Sequence, residues 1–283
     1  TGVDAIAMGR ALIADPFLPK KLLRGQADAI TPCLRCGECQ SGLMKNRVLH
    51  CAVNPVIGSE HTFYNPIPTN HAPRTILIAG GGPAGCQAAM EAVKLVRDEI
   101  SGAVIVKRYI PVVFGKSIAA VLAAMEAERP DAVVCVGQAG GREGVTPERV
   151  AINVDDARIP DNEGNRPVDA PVYADGENAY FASLPVKAMV RRIQEAGIPS
   201  SLSNSAGTYV CNHLMYGVLY NIERSFPGMH GGFIHVPYIP EQVAERPGVP
   251  ALPLSDIVTA LEAALAAIAE NERDIPAALG TEN

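Results

Sequence analysis

The hydrophobic pattern of the chain changes at about residue 73. Before that point the regular patterns are short: residues 3–8 predict a brief strand and residues 15–23 predict a helix interrupted by Pro19. Three prolines and two asparagines in residues 61–73 indicate a linker. Beyond it, apolar runs typical of buried strands alternate with stretches whose apolar residues recur every three or four positions, as they do in helices.

These alternating segments predict one α/β domain over residues 73–283, preceded by an irregular, cysteine-rich segment over residues 1–72. Strands are predicted at residues 75–79, 103–113, 131–137, 150–154, 201–205 and 232–239. Helices are predicted at residues 84–96, from a Ser117 cap to Pro130, at 184–195, at 210–223, and from a Ser255 cap onward. Alternation of this kind predicts a three-layer α/β/α sandwich with a mostly parallel sheet.

Composition narrows the class of protein. The chain has 283 residues, of which 48% are hydrophobic, so it can fill a sizeable core and is long enough for about two domains. A formal charge of −6 without a long basic block argues against nucleic acid or an anionic membrane as partner. The sequence also lacks a stretch of about 18 apolar residues and a secretory signal pattern. We therefore expect a cytoplasmic protein.

The cysteines predict a metal site rather than disulfides. Their number, seven, is odd, and four of them fall within residues 33–51. Their spacing is Cys33-x2-Cys36-x2-Cys39 followed by Cys51, a strong metal signature because thiolates separated by two residues on a turn can converge on one ion. The spacing leaves zinc and an iron–sulfur cluster both open.

A glycine-rich turn follows the first predicted strand of the α/β domain. Gly80, Gly82 and Gly85 lie in a Gly-Gly-Gly-Pro-Ala-Gly stretch between that strand and a predicted helix, where glycines allow a pyrophosphate to approach a helix N-terminus. The same motif requires an acidic residue at the end of the next strand. Here that strand continues Val-Lys107-Arg108, so the nucleotide-binding motif is incomplete.

Three residues suggest nucleophilic catalysis. Cys211 lies at the start of a predicted helix, where the helix dipole favours a thiolate and unpaired N–H groups can bind an oxyanion. His235, near the end of a predicted strand, is the candidate general base and acid, and Glu148 can orient its imidazole. Taken alone, each has a structural explanation, since isolated cysteines and strand histidines are usually core residues and Glu148 precedes Arg149. We expect Cys86 and Cys135 to be buried structural thiols, and His213 and His230 to be surface or packing histidines.

The sequence around these residues resembles the pyroglutamyl-peptidase I (pyrrolidone-carboxylate peptidase) family over about residues 92–272. The resemblance is carried by six blocks, namely residues 110–116 (IPVVFGK), 136–142 (VGQAGGR), 148–153 (ERVAIN), 155–162 (DDARIPDN), 202–212 (LSNSAGTYVCN) and 233–240 (FIHVPYIP). It implies a cytosolic cysteine exopeptidase that needs no cofactor and removes an N-terminal pyroglutamyl residue from a peptide substrate. It also implies a homodimer or homotetramer.

The resemblance assigns roles to individual residues. Cys211 corresponds to the nucleophile, His235 to the base and acid, and Glu148 to the residue that orients the histidine. Gln138 matches a position that lines the substrate pocket, and Arg158 matches one beside the oxyanion site. The family's first loop carries aromatic rings that pack on the pyroglutamyl ring, and residues 80–85 contain none. Loss of two such contacts, worth about 1–2 kcal/mol each, is expected to weaken substrate affinity by about ten- to a thousandfold.

Residues 1–90 resemble a second family, the iron–sulfur flavin reductases of the 2,4-dienoyl-CoA reductase and old yellow enzyme type. This resemblance implies that Arg10 contacts a flavin phosphate and that Cys33, Cys36, Cys39 and Cys51 hold a four-iron cluster. The flavin barrel itself needs about 200 residues, and only its final strand fits before Cys33. The sequence therefore predicts a fusion, in which residues 73–91 are of reductase-like origin and residues 75–79 replace the first strand of the peptidase.

Three functions follow from the sequence. The first is a pyroglutamyl peptidase whose activity is impaired by the missing pocket loop. The second is a fragment of an iron–sulfur flavin NAD(P)H oxidoreductase. The third is an inactive hybrid of the two.

Overall fold

The computed structural model describes residues 9–37, 39–40, 51–54, 74–81 and 87–280, and the chain divides into two compact units, Thr1–His71 and Ala72–Asn283. The strand predicted at residues 3–8 lies outside the described residues. None of the helices described combines the length and the apolar character that crossing a membrane requires.

The described part of the first unit contains short helical elements. Helix α1 spans Arg10–Ala14, α2 spans Leu18–Leu23, and a single 3-10 turn spans Ala27–Ala29. The prediction that Pro19 interrupts a helix beginning at residue 15 is wrong. Pro19 lies in the first turn of α2, where its missing N–H leaves no helical hydrogen bond unmade.

The second unit is built around a six-stranded sheet. Its strands are β1 (Thr75–Gly81), β2 (Glu99–Ile100), β3 (Ala103–Ile110), β4 (Ala132–Gln138), β5 (Thr146–Pro147) and β8 (His230–Val236). They are arranged in the order β2-β3-β1-β4-β8-β5. The four central strands are parallel, and the two short edge strands, β2 and β5, are antiparallel to their neighbours. Strand β6 (Val150–Ile152) and strand β7 (Ala179–Phe181) form a separate two-stranded sheet.

Helices cover both faces of the main sheet. They are α3 (Gln87–Leu95), α4 (Lys116–Glu128), α5 (Val186–Glu195), α6 (Val210–Ser225) and α7 (Leu254–Glu270). Alternate residues of β1 show the two layers: Ile76 and Ile78 belong to the core formed with α3, α5 and α7, whereas Leu77 and Ala79 belong to the core formed with α4 and α6. Burial on both faces is the reason that β1 is apolar after Thr75. The predicted α/β/α sandwich with a mostly parallel sheet is confirmed.

Several predicted local features differ from the structure. Residues 201–205 do not form a strand; this segment makes single bridges from Ser200 and Ser203 to the chain around the two-residue β5, which is too short to support a ladder. Neither Ser117 nor Ser255 caps a helix, because α4 begins one residue before Ser117 and α7 one residue before Ser255. Strand β6, predicted to reach residue 154, ends at Ile152.

One edge of the main sheet is formed by β2 and β3. A tight turn at Ser101 and Gly102, with φ of 49° and 78°, joins the two strands. Strand β2 pairs only with Ala103 and Val104. In the part of the chain that the structure describes, no strand pairs with the outer edge of β3 beyond Ile105, where Lys107 and Arg108 lie.

Candidate active site

The carboxyl ends of two adjacent parallel strands form the floor of the site. Strands β4 and β8 pair in a register that sets Gly137 beside His235. On the other side of β8, the antiparallel edge strand β5 sets Thr146 beside His235, and Glu148 follows directly. The Glu148 N–H donates a hydrogen bond of 2.9 Å to the Phe233 carbonyl. The sheet therefore brings together residues that lie 87 positions apart in the sequence.

His235 and Glu148 form a buried hydrogen-bonded pair. Their exposed fractions are 3% and 0%, and His235 Nδ1 lies 2.7 Å from Glu148 Oε1. Because a carboxylate can only accept, Nδ1 carries the proton and the second ring nitrogen, Nε2, is the one that can accept. Burial lowers the pKa of His235 below its usual value of 6.5, and the hydrogen bond to Glu148 opposes that effect only in part. The neutral imidazole is therefore the favoured resting form.

Cys211 lies against β4, the strand that pairs with the His235 strand β8. It is the second residue of α6, whose first turn presents backbone N–H groups and the positive end of the helix dipole. A Cβ atom built on Gly137 would lie 3.1 Å from Cys211 Sγ and 2.7 Å from Phe233 Cζ. The sulfur thus occupies the space above Gly137, the residue that pairs with His235 in the sheet.

The two candidate substrate residues lie in different settings. Gln138, the last residue of β4, exchanges side-chain hydrogen bonds with Gln242, whose Nε2 lies 3.2 Å from Gln138 Oε1. Arg158 is exposed, on the segment between β6 and β7. The backbone of that segment is held beside the start of α6, because Thr208 Oγ1 donates to the Asp156 carbonyl at 2.8 Å. The roles of Gln138 and Arg158 stay predictions.

Two further side chains of α6 fix this segment, and sequence reasoning missed both. Asn212 is fully buried and makes hydrogen bonds to the Ile152 N–H, the Ile152 carbonyl and the Val154 carbonyl, at 3.0, 2.9 and 3.0 Å. His213, expected to be a surface or packing histidine, is buried and packs edge-on against Phe114, and both of its ring nitrogens have partners. Its Nδ1 lies 2.7 Å from Asp155 Oδ2, and its Nε2 accepts the Gly115 N–H at 2.8 Å. Both residues are buried polar positions in the first half of the helix, where most of the other residues are apolar, and this is the signal that could have revealed them.

Arg142 is a third residue without a predicted role. It ends the Val-Gly-Gln-Ala-Gly-Gly-Arg block, and its Nη1 lies 2.6 Å from Glu148 Oε1. Its positive charge lowers the pKa of His235 further. The other cysteine described in this unit, Cys135, is buried, and burial raises its pKa to about 12, as expected of a structural thiol. Cys86 lies outside the described residues.

The N-terminal candidates do not assemble into a site. Among the described residues, no group of three or more histidine, cysteine, aspartate or glutamate side chains is placed to hold a metal ion, and Cys33, Cys36, Cys39 and Cys51 are all described. Metal binding by these four cysteines stays a prediction from their spacing. Arg10 is the exposed first residue of α1.

The glycines of the nucleotide-binding motif are described only in part. Gly80 is a buried residue of β1, paired in register with Tyr109 and Val136, so it belongs to the sheet and not to a phosphate-binding turn. Gly82 and Gly85 lie outside the described residues. The described residues therefore offer no cradle for a dinucleotide at this position.

Comparison with known proteins gives a consistent result for the second unit. The sequence model of the pyroglutamyl peptidase family matches residues 74–271, so the similarity begins earlier than residue 92 and includes β1 and α3. The pyrrolidone-carboxylate peptidase of Clostridium botulinum is 56% identical over 208 residues, which are 72% of this chain and 98% of that protein. The corresponding peptidase of Lactobacillus johnsonii is 54% identical over 200 residues, 70% of this chain and 93% of that protein.

Solved structures agree. The crystal structure of pyroglutamyl peptidase I from Bacillus amyloliquefaciens superposes with a TM-score of 0.70 at 45% identity, over 73% of this chain and all of that chain. Pyrrolidone carboxyl peptidase from Thermococcus litoralis gives 0.68 at 33% identity, over 72% of this chain and all of that chain. The family match, the length of the relatives covered and the shared fold together show that the chain belongs to the pyroglutamyl peptidase family of cysteine peptidases.

Proposed function

We propose that this peptidase cleaves the bond after an N-terminal pyroglutamyl residue by means of Cys211, His235 and Glu148. The observation that carries the proposal is the buried hydrogen bond of 2.7 Å between His235 and Glu148. His235 lies in β8, next to β4, and the Cys211 sulfur lies against Gly137 of β4. In acylation the Cys211 sulfur attacks the pyroglutamyl carbonyl carbon, and its proton passes to His235. The N–H groups at the start of α6 stabilise the oxyanion that forms.

Collapse of the tetrahedral adduct completes the first half of the reaction. The C–N bond breaks as the His235 imidazolium gives its proton to the leaving amine, which departs as the shortened peptide. In the second half, a water molecule gives its proton to His235 and attacks the thioester carbonyl. The C–S bond then breaks, pyroglutamate leaves, and the thiol is restored. Glu148 fixes the tautomer throughout, because its Oε1 holds the proton on Nδ1.

Two further residues are proposed for the substrate side of the site. Gln138 and Arg158 are proposed to contact the substrate and the oxyanion region, and residues 80–85 carry no aromatic ring to pack against the pyroglutamyl group. We therefore expect a high KM for small pyroglutamyl amides.

The test is hydrolysis of a fluorogenic pyroglutamyl amide by the full chain. Cys211→Ala should lower kcat/KM by at least about a thousandfold, because the nucleophile is removed. Cys135→Ala is the matched control: it removes a thiol whose pKa is raised to about 12, and it should leave kcat/KM within a few-fold of the unmodified chain. Hydrolysis that survives in Cys211→Ala would contradict the proposal.

The remaining expectations are separate from the peptidase chemistry. The family match from residue 74 contradicts a reductase-like origin of residues 74–91. A reductase-like origin of the preceding residues, metal binding by Cys33, Cys36, Cys39 and Cys51, a cytoplasmic location and a dimeric or tetrameric state are all inferred from the sequence. Metal analysis of the purified chain tests metal binding by the four cysteines. Bound iron or zinc that is lost in Cys36→Ser would support metal binding, and a metal-free chain would contradict it. Light scattering coupled to gel filtration tests the oligomeric state.

A further inference from the structure

One oxygen atom of Glu148 serves two donors. Oε1 lies 2.7 Å from His235 Nδ1 and 2.6 Å from Arg142 Nη1. The other oxygen, Oε2, is buried and has no hydrogen-bond partner among the described residues. The orientation of the carboxylate is therefore set by the two groups that share Oε1.

The charge of Glu148 needs compensation. Its side chain is 0% exposed, and transferring an ionised carboxylate into a protein interior costs several kcal/mol unless a counter-charge is close. His235 does not supply that charge in its resting form, because burial favours the neutral imidazole. Among the ion pairs of the described residues, the permanent positive charge paired with Glu148 is that of Arg142.

Arg142 also reaches the loop that leads to the nucleophile. Its Nη1 contacts Thr146 Oγ1, and its Nη2 lies 3.4 Å from the Ser205 carbonyl, six residues before Cys211. One guanidinium group thus contacts β5, the strand directly before Glu148, and the loop that precedes α6. A planar group with several fixed donors suits this position, and a lysine ammonium does not.

We propose that Arg142 is a positioning residue for the peptidase reaction, which compensates the buried charge of Glu148 and holds Oε1 against His235 Nδ1. Arg142 acts through Glu148 and does not touch the reacting atoms. The inference rests on the proposed function, because it assumes that His235 and Glu148 take part in the reaction.

The test is a double-mutant cycle with Arg142→Gln and Glu148→Gln. Arg142→Gln alone should lower kcat/KM by about 10- to 100-fold, as the loss of an outer hydrogen-bonding partner typically does. In the Glu148→Gln background the same change should cost less than about twofold, because the group through which Arg142 acts is already altered. Equal losses in both backgrounds, or no loss in either, would overturn the inference.

A pH profile separates positioning from a general loss of structure. The acid limb of kcat/KM reports the loss of one proton from the Cys211–His235 pair, whichever group holds it. Because the positive charge of Arg142 favours that loss, Arg142→Gln should move the acid limb to higher pH. A lower rate with an unmoved profile would indicate a structural role only and would overturn the inference.

Two further variants keep the result interpretable. Arg142→Lys retains the charge without the fork of donors, so it should fold and show an intermediate rate. Arg97→Gln breaks an exposed pair, in which Arg97 Nε lies 3.0 Å from Glu262 Oε2, and should leave the rate unchanged. If the unmodified chain is active and Cys211→Ala is inactive, failure of the cycle refutes the role of Arg142 alone. If the unmodified chain does not hydrolyse the amide, the proposed function itself fails.

Discussion

At the scale of single residues, the absence of a side chain at Gly137 leaves room for the Cys211 sulfur. Gly137 lies in β4 beside His235, and the Cys211 sulfur and the Phe233 ring fill the volume that a side chain would occupy. No larger residue fits there without displacing the ring or the sulfur.

We expect Gly137→Ala to lower kcat/KM by at least about tenfold. The added methyl group would lie 2.7 Å from Phe233 Cζ and 3.1 Å from Cys211 Sγ, and overpacking of this kind typically costs about 1–3 kcal/mol. Steady-state kinetics and thermal unfolding of the same preparation check this. An unchanged rate would show that the sulfur can move without consequence for catalysis.

The burial of His235 predicts a pH-dependent stability. As the pH falls below 6.5, the unfolded chain binds a proton at this histidine, while the folded chain, whose pKa is lowered, stays neutral. The free energy of unfolding therefore decreases from that pH downward, until the lower folded pKa is reached. Urea unfolding between about pH 5 and about pH 8 should show a smaller decrease in His235→Asn. Parallel curves for the two proteins would contradict this.

The residue types suggested Cys211, His235 and Glu148 from the sequence, and the resemblance of the surrounding blocks to the peptidase family carried the assignment of their roles. The hydrogen bonds around the site were not predictable in the same way. Asp155 lies 58 positions before His213, and nothing in local periodicity indicates that the two side chains meet inside the protein. The bond between Arg142 and Glu148 spans only six positions, but it depends on the antiparallel turn of the chain into β5.

At the scale of elements, the first turn of α6 carries the nucleophile and two side chains that bind the neighbouring segment. Cys211 lies at the N-terminal end of α6, and the side chains of Asn212 and His213 form hydrogen bonds to the segment between β6 and β7. The position of the nucleophile relative to that segment is thus set within three consecutive residues.

We expect Asn212→Ala to lower the free energy of unfolding by about 3 kcal/mol. The substitution leaves the Ile152 N–H and the Val154 carbonyl without their side-chain partner, and each unsatisfied group costs about 1–3 kcal/mol, whereas the Ile152 carbonyl keeps the Val154 N–H. Denaturant unfolding measures the loss. Asn212→Asp keeps one acceptor but adds a buried charge, so it should be no more stable than the alanine variant; a stable aspartate variant would contradict the role of the three bonds.

Elements with a strong periodicity were predictable, and those set by tertiary pairing were not. The largely apolar β1 and β4 and the striped α7 follow from their sequences alone. The segment at residues 201–205 was predicted as a strand, yet it consists of serine, leucine and asparagine, and its neighbour β5 is only two residues long. Helix caps were misplaced because Gly115, with φ of 74°, and Pro253 precede the helices where serines were expected to do so.

At the scale of the whole molecule, the two units differ in their share of the hydrophobic core and of the proposed catalytic residues. The buried residues of both core clusters all lie at or beyond Ile76, and the family match begins at residue 74. The second unit therefore contains its complete hydrophobic core and all of the proposed catalytic residues.

We expect a chain of residues 72–283 to fold and to retain the kcat/KM of the full chain within about threefold, because the core and the site are both internal to it. Comparison of rate and melting temperature between the two chains checks this. A shortened chain that is insoluble or inactive would show that residues 1–71 contribute to the peptidase fold.

The edge of the sheet at β3 has a consequence for behaviour in concentrated solution. An unpaired strand edge can accept a strand from another copy, and such additions lead to aggregates. Lys107 and Arg108 point to opposite faces at this edge, where they pair with Asp98 and Glu128, so an incoming strand would have to strip water from charges on both sides. The colloidal behaviour of the enzyme therefore depends on two basic side chains that take no part in peptide hydrolysis.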